Sequence, residues 1–155
     1  MVAIMNEALQ LIPGLTVLEV GAGSGYHAAT IAEIIGPHGR IYTVELVEDL
    51  ARSARANLER AGYADRVTLV LGDGSLGYPD RAPYDRILLT AASPQIPKHL
   101  IDQLRIGGIM LAPVGGRFFP QELVLTKKKS QSEIEKREFG RVAFVPLKGK
   151  HGFGD

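Results

Sequence analysis

Three groups of residues follow short apolar runs, and their types could build a binding site for a nucleotide-like molecule. The first is the glycine turn Gly21-Ala22-Gly23-Ser24-Gly25, which follows the apolar run 17–20 and precedes a run of helical composition. Glycine lacks a Cβ, so the backbone can turn sharply and approach a ligand closely. The free amides at the start of the next helix point at that ligand. Strand, glycine turn and helix together indicate the start of a nucleotide-binding α/β unit.

Two acidic residues occupy matching places after the next two apolar runs. Glu45 follows the run 41–44, about 20 residues past the glycines, where a carboxylate can accept hydrogen bonds from both ribose hydroxyls. Asp73 stands between two glycines after the run 67–71, where it can accept from the amine of an adenine. Alone, each could be a solvated loop carboxylate or part of a plain turn. Their occurrence together favours the binding interpretation.

The glycine spacing narrows the class of ligand. Gly21, Gly23 and Gly25 form G-x-G-x-G, with Glu19 two residues before the first glycine and Tyr26 where a dinucleotide fingerprint has glycine. This form resembles motif I of the class I S-adenosylmethionine (AdoMet) methyltransferases. An NAD-linked oxidoreductase fits less well. The alternative without a ligand is a glycine turn that only packs a helix on a strand.

Apolar periodicity predicts alternating strands and helices. It gives an α/β fold: a Rossmann-like three-layer α/β/α sandwich, mostly parallel, with one antiparallel strand near the C-terminus. The charged segment 127–138 has no apolar period and is predicted to be a mobile surface connection. The predicted helices are 2–12, 26–35, 47–62 and 96–104, and the predicted strands are 17–20, 41–44, 67–71, 84–90, 109–113, 121–126 and 142–147.

Composition bounds the remaining possibilities. A length of 155 residues predicts one domain over 1–155. The net charge of +1 gives no argument for nucleic acid or membrane partners, and no run has membrane-spanning length. The absence of cysteine excludes disulfides and thiolate chemistry and fits a cytoplasmic protein. The histidines have no metal-ligand spacing, so we expect no metal; they are His27, His38, His99 and His151.

Longer stretches resemble one family, the protein-L-isoaspartate O-methyltransferases. They run in order over nearly the whole chain: VLEVGAGSGY at 17–26, YTVE at 42–45, GDGSLGYP at 72–79, APYDRILLTAASPQIP at 82–97, APVG at 112–115 and VAFVPLKG at 142–149. The resemblance implies AdoMet-dependent methyl transfer to the α-carboxyl of L-isoaspartyl residues in damaged proteins or peptides. S-adenosylhomocysteine is the implied product, and the methyl ester then collapses to a succinimide.

The resemblance also implies site residues. The glycine turn would cradle the methionine part of AdoMet, Glu45 would bind the ribose, and Asp73 with Gly74 would flank the adenine. The implied cofactor-binding residues are Gly21, Ala22, Gly23, Ser24, Gly25, Tyr26, Glu45, Leu46, Asp73 and Gly74. The implied substrate-binding residues are Thr90, Ala91, Ala92, Val142 and Val145.

One departure from the family concerns the catalytic hydroxyl. The family normally has a segment before motif I, with a G-x-G-x-[ST]-[IV]-S-x-P-like stretch that supplies a serine or threonine. This sequence contains only the closing helix of that segment, so no catalytic residue is assigned. The alternative function is therefore a truncated or non-catalytic AdoMet-binding module. Apolar residues of the first helix predict self-association through its exposed face.

Overall fold

The computed structural model describes residues 1–118 and 120–154, and this part of the chain forms an open sheet flanked by helices. None of its helices is both long and apolar enough to cross a membrane. The helices are α1 (Val2–Ala8), α2 (Tyr26–Ile35), α3 (Glu48–Arg60) and α4 (Lys98–Asp102), with 3-10 turns at Gly74–Leu76 and Pro79–Arg81. The strands are β1 (Thr16–Val20), β2 (Arg40–Glu45), β3 (Val67–Leu71), β4 (Tyr84–Leu89), β5 (Leu104–Gly115), β6 (Gln121–Lys128) and β7 (Ile134–Val142).

The strand order is β3-β2-β1-β4-β5-β6-β7. Strands β1 to β5 are parallel, and β6 is antiparallel to both of its neighbours, so it alone runs in the opposite direction. The predicted mostly parallel sheet with one antiparallel strand is confirmed. The chain moves outward from β1 to β3 and then returns to place β4 on the other side of β1. This reversal leaves a crevice at the carboxyl ends of β1 and β4, where open α/β sheets bind their ligands.

Both faces of the central strands β1 and β4 are buried, which explains why these strands are mostly continuous apolar runs rather than alternating ones. Val17 of β1 packs into a cluster with α1, α2 and α3. Its neighbour Leu18 points to the opposite face and packs into a second cluster with α4. Because one cluster joins helices to each face of the sheet, the helices and the sheet form the three layers that the sequence predicts.

The predicted strand 142–147 is wrong, and so is the connection predicted at 127–138. Most of that charged segment belongs to β6 and β7, which form an antiparallel hairpin. The side chains of β7 are exposed almost throughout, so the strand has no buried face to produce an apolar alternation. Backbone pairing with β6 defines it, and its charges suit an edge strand because they discourage pairing with other chains.

Three other elements differ in length from the predicted ones by four residues or more. Helix α1 ends at Ala8 instead of 12 because buried Arg86 takes the carbonyls of Leu9 and Gln10 as hydrogen-bond acceptors. Helix α4 has five residues instead of the predicted nine. Strand β5 is longer than predicted and contains the glycine pair at 107–108.

Candidate functional site

A cavity of about 440 Å³ lies at the carboxyl ends of β1, β2 and β4. Its position matches the crevice that the strand order creates. The residues that line it are Val20, Gly21, Gly23, Val44, Glu45, Leu46, Val47, Leu50, Gly74, Thr90, Ala91, Val145, Pro146, Leu147 and Lys148. Most of these are apolar or glycine, as expected of a small-molecule site with few polar contacts.

The glycine turn runs along one wall of the cavity. Gly21, Gly23 and Gly25 all have positive φ values, of 97°, 53° and 82°. Glycine adopts this region without the strain that other residues meet there. The amide of Gly21 donates to the carbonyl of Val44 at 2.8 Å, which ties the start of the turn to β2.

Glu45 holds the other end of the turn. One carboxylate oxygen accepts from the amide of Gly23 and the other from the amide of Val47, both at 3.0 Å. The residue is buried at the edge of the cavity. Since each carboxylate oxygen has two lone pairs, both oxygens remain able to accept from a ligand hydroxyl.

Glu19 lies beneath the turn in a fully buried position. Its Oε2 accepts from the hydroxyl of Thr43 at 2.6 Å, and its Oε1 has no partner. The pKa of Glu19 is raised to about 8: burial raises it most, the Thr43 hydrogen bond offsets part of that rise, and the charge of Glu45 adds to it. Glu19 is therefore mainly a neutral carboxylic acid at pH 7. In the sequence, a glutamate inside an apolar strand indicates a buried acid, but the sequence does not show which groups surround it.

Asp73 makes contacts that its local sequence does not reveal. Its Oδ1 accepts from the amide of Ser75 at 2.9 Å, and its Oδ2 accepts from the amide of Lys150 at 2.8 Å. Burial raises the pKa of Asp73, but these hydrogen bonds outweigh it, so the pKa lies below its usual value. A Cβ on Gly149 would lie 2.0 Å from Oδ1, so the C-terminal residues pass directly over the carboxylate.

The structure brings part of the expected cofactor set together and separates the rest. Gly21, Gly23, Glu45, Leu46 and Gly74 line the cavity. The remaining expected residues do not, and they are Ala22, Ser24, Gly25, Tyr26 and Asp73. Ala22 is buried behind the turn, and a smaller cleft of about 270 Å³ between α2 and α3 takes in Ser24, Gly25 and Tyr26.

The expected substrate set divides in the same way. Thr90, Ala91 and Val145 line the cavity. Ala92 is fully buried and exchanges backbone hydrogen bonds with Val145 and Leu147, both at 2.8 Å. Val142 ends β7 and packs against the α1–α2–α3 cluster, outside the cavity.

Two apolar walls complete the cavity, and sequence reasoning missed the first of them. One is the start of α3 with the residue before it, Val47 and Leu50, whose side chains are nearly half exposed. Leu50 lies in the first turn of α3 and lines the cavity. The other wall is the segment 146–148, which hydrogen-bonds to Ala92 and not to a neighbouring strand. An apolar residue in an otherwise charged first helical turn is a signal that could have indicated the first wall.

The family model for protein-L-isoaspartate(D-aspartate) O-methyltransferase matches residues 1–152. The chain belongs to this family. The protein-L-isoaspartate O-methyltransferase of Hyperthermus butylicus is 54% identical to it over 160 residues, which cover 99% of this chain and 66% of that protein. A solved protein-L-isoaspartate O-methyltransferase superposes with a TM-score of 0.89 at 31% identity, over 97% of this chain and 47% of that one.

A more distant solved relative belongs to the same fold. The AdoMet-dependent methyltransferase of Geobacter sulfurreducens, solved with S-adenosylhomocysteine, has a TM-score of 0.62 and 29% identity, over 72% of this chain and 46% of that one. This member of the isoaspartate methyltransferase family therefore spans about two thirds of its Hyperthermus relative and about half of the two solved chains.

Proposed function

We propose that this chain is a single AdoMet-dependent methyltransferase domain that transfers a methyl group to the α-carboxyl of L-isoaspartyl residues in damaged proteins and peptides. Loss of the methyl group converts the cofactor AdoMet to S-adenosylhomocysteine. One observation supports this proposal above the others: the glycine turn and Glu45 line the same cavity at the β1–β4 crevice. The chain that contains this cavity belongs to the isoaspartate methyltransferase family.

The residues at the cavity fit the proposed cofactor. The volume of about 440 Å³ is within the range of small-molecule pockets. A Cβ on Gly74 would come within 2.8 Å of Val20 Cγ1, so a glycine is needed at this wall. Glu45 offers acceptor lone pairs to a ribose, and the apolar walls suit an adenine and a methionine side chain. Asp73 flanks the adenine end in this proposal, with lone pairs left after its two backbone contacts.

The proposed reaction requires the protein mainly to align the two reactants, and it depends less on acid–base catalysis. AdoMet, when bound, supplies a methyl group already activated by a positively charged sulfur. The substrate's α-carboxyl is ionised at neutral pH, so its oxygen is a nucleophile without help from a base. The chain then has to hold both reactants at contact distance, which removes most of the entropic cost of their encounter. Ala91 and Val145 are placed on the substrate side of the cavity in this proposal, and Thr90 lies beside them next to the glycine turn.

The test is calorimetric titration with S-adenosylhomocysteine, followed in the same sample by methyl transfer from AdoMet to an isoaspartyl peptide. We expect binding and turnover. Glu45→Ala and Asp73→Ala should each lose about 1–3 kcal/mol of binding free energy, because polar groups of the ligand lose their partners. Glu48→Ala is the matched control, since Glu48 is exposed on α3 and contacts Arg52.

Each other outcome has a definite meaning. Binding without turnover would make this chain a cofactor-binding module. No binding would overturn the proposal, and unchanged affinity in both acidic variants would overturn the cofactor assignments.

We also propose that the partners are isoaspartyl proteins and a second copy of this chain. Met1, Ile4 and Ile12 are each more than half exposed on or beside α1, and Ile34 of α2 is also exposed. These side chains supply an apolar surface for self-association. We propose a cytoplasmic location, which fits the absence of cysteine, and no nucleic-acid or membrane partner, which fits the net charge of +1.

A further inference from the structure

Thr90 is bound to the glycine turn through its side chain. It follows β4 directly, and its amide donates to the carbonyl of Val20 at 3.0 Å. Its Oγ1 lies 2.6 Å from the carbonyl oxygen of Gly21 and 3.0 Å from that of Val20. A hydroxyl has one proton to donate, and the shorter contact indicates that Gly21 receives it.

The absence of a side chain at Gly21 makes this contact possible. A Cβ on Gly21 would lie 2.3 Å from Thr90 Oγ1, which is far inside contact distance. The hydroxyl therefore occupies the space that any other residue at 21 would fill. The peptide group on the other side of the Gly21 Cα is also fixed, since the Gly21 amide donates to the carbonyl of Val44 at 2.8 Å.

The turn is thus held at three points on the cavity wall. Val44 holds the Gly21 amide, Glu45 holds the Gly23 amide, and Thr90 holds the Gly21 carbonyl. Glycine peptides reorient at low cost, because no Cβ restricts their φ and ψ angles. Without the Thr90 hydroxyl, no other side chain in the described residues donates to the Gly21 carbonyl, and the turn can sample other arrangements.

We propose that Thr90 is a positioning residue for the cofactor: its hydroxyl fixes the Gly21 carbonyl, so that the turn presents one arrangement to AdoMet. The inference rests on the proposed function, and it gives Thr90 a different role from the contact with the peptide substrate that the family resemblance implies. Thr90 acts through the turn, and its substitution should affect cofactor affinity more than peptide affinity.

The test compares Thr90→Val, which keeps the shape and removes the hydroxyl, with Thr90→Ser, which keeps the hydroxyl. We expect Thr90→Val to weaken S-adenosylhomocysteine binding about tenfold or more, as for one lost hydrogen bond that leaves an acceptor unpaired. The KM for AdoMet should rise in parallel, while the KM for an isoaspartyl peptide stays within about twofold. Thr90→Ser should restore most of the affinity. Thr68→Val is the control, since Thr68 is exposed on β3.

Hydrogen exchange in the ligand-free protein separates this inference from the proposed function. Thr90→Val should speed exchange of the Gly21 and Gly23 amides and leave the amides of β3 unchanged. If the wild type binds the cofactor but Thr90→Val binds it equally well, or raises only the peptide KM, the inference is wrong and the proposed function stands. If the wild type fails to bind, both the proposed function and this role fail. Unchanged exchange at the turn would overturn the positioning argument independently of any ligand.

Discussion

Two carboxyl groups lie beside the glycine turn, and the surroundings of one of them, Glu19, raise its pKa. Glu45 accepts two amide hydrogen bonds at the edge of the cavity. Glu19 is fully buried, has one unpartnered oxygen, and has a pKa raised to about 8 by burial. The two acids are adjacent in the fold, and the charge of Glu45 itself disfavours ionisation of Glu19.

The raised pKa of Glu19 makes stability depend on pH. Between its ordinary pKa of 4.5 and the folded value of about 8, the folded protein holds a proton that the unfolded chain has lost. The contribution of Glu19 to the free energy of unfolding therefore falls as pH rises through this window. Glu19→Gln keeps a neutral side chain of about the same size as the protonated acid, and it has no acidic proton to lose as the pH rises. Relative to the wild type, we expect the variant to gain about 1–3 kcal/mol between pH 5 and pH 8.

Urea unfolding at a series of pH values measures this difference. Glu59→Gln on the exposed face of α3 is the control and should follow the wild type at every pH. Parallel curves for Glu19→Gln and the wild type would contradict the assignment of a neutral Glu19.

At the scale of elements, a buried polar contact joins α1 to the first turn of α2. The ring of His27 donates from Nε2 to Oδ1 of Asn6 at 2.9 Å. The amide of Asn6 donates in turn to the hydroxyl of Thr30 at 3.2 Å. The pKa of His27 is lowered to about 4, mainly by burial and to a smaller extent by the positive N-terminus. The neutral imidazole therefore fixes α1 beside the helix that begins at the glycine turn.

This contact predicts a loss of stability in acid. Between pH 6.5 and pH 4 the unfolded chain binds a proton at His27 that the folded protein does not, so stability falls as the pH decreases through this window. His27→Gln keeps a donor for Asn6 and cannot titrate. From pH 7 to pH 4.5 the wild type should lose about 1–3 kcal/mol more than the variant in urea unfolding. His38→Gln, at an exposed site, should behave like the wild type. Equal losses in His27→Gln and the wild type would show that the imidazole is accessible to protons.

At the scale of the whole molecule, the elements that the sequence predicted well are those that contribute apolar side chains to the core. Helix α2 and strand β3 match their predicted bounds, because each has apolar residues that pack into the core, with Ile31 and Val67 among them. Strand β7 is exposed, and only its partner β6 defines it, so its own residues give no signal. The site shows the same division. Glu45 follows a buried strand and could be placed from spacing, whereas the contact between Asp73 and Lys150 joins residues 77 positions apart.

The exposed face of α1 leads to a prediction about the state of the molecule in solution. Ile4 is 53% exposed on this helix, Met1 before the helix is exposed too, and Ile34 of α2 lines a shallow cleft with α1 residues such as Ala3. Burial of this surface between two copies would remove apolar area from water, which favours association. We expect the weight-average mass in sedimentation equilibrium to rise above the monomer value of 16.7 kDa with concentration.

Ile4→Glu should restore the monomer, because association would bury its charge. Ile106→Glu, at a similarly exposed site on β5, should still associate. A wild-type protein that stays monomeric at every concentration would show that this face has no role in self-association, and equal loss in both variants would place the contact elsewhere.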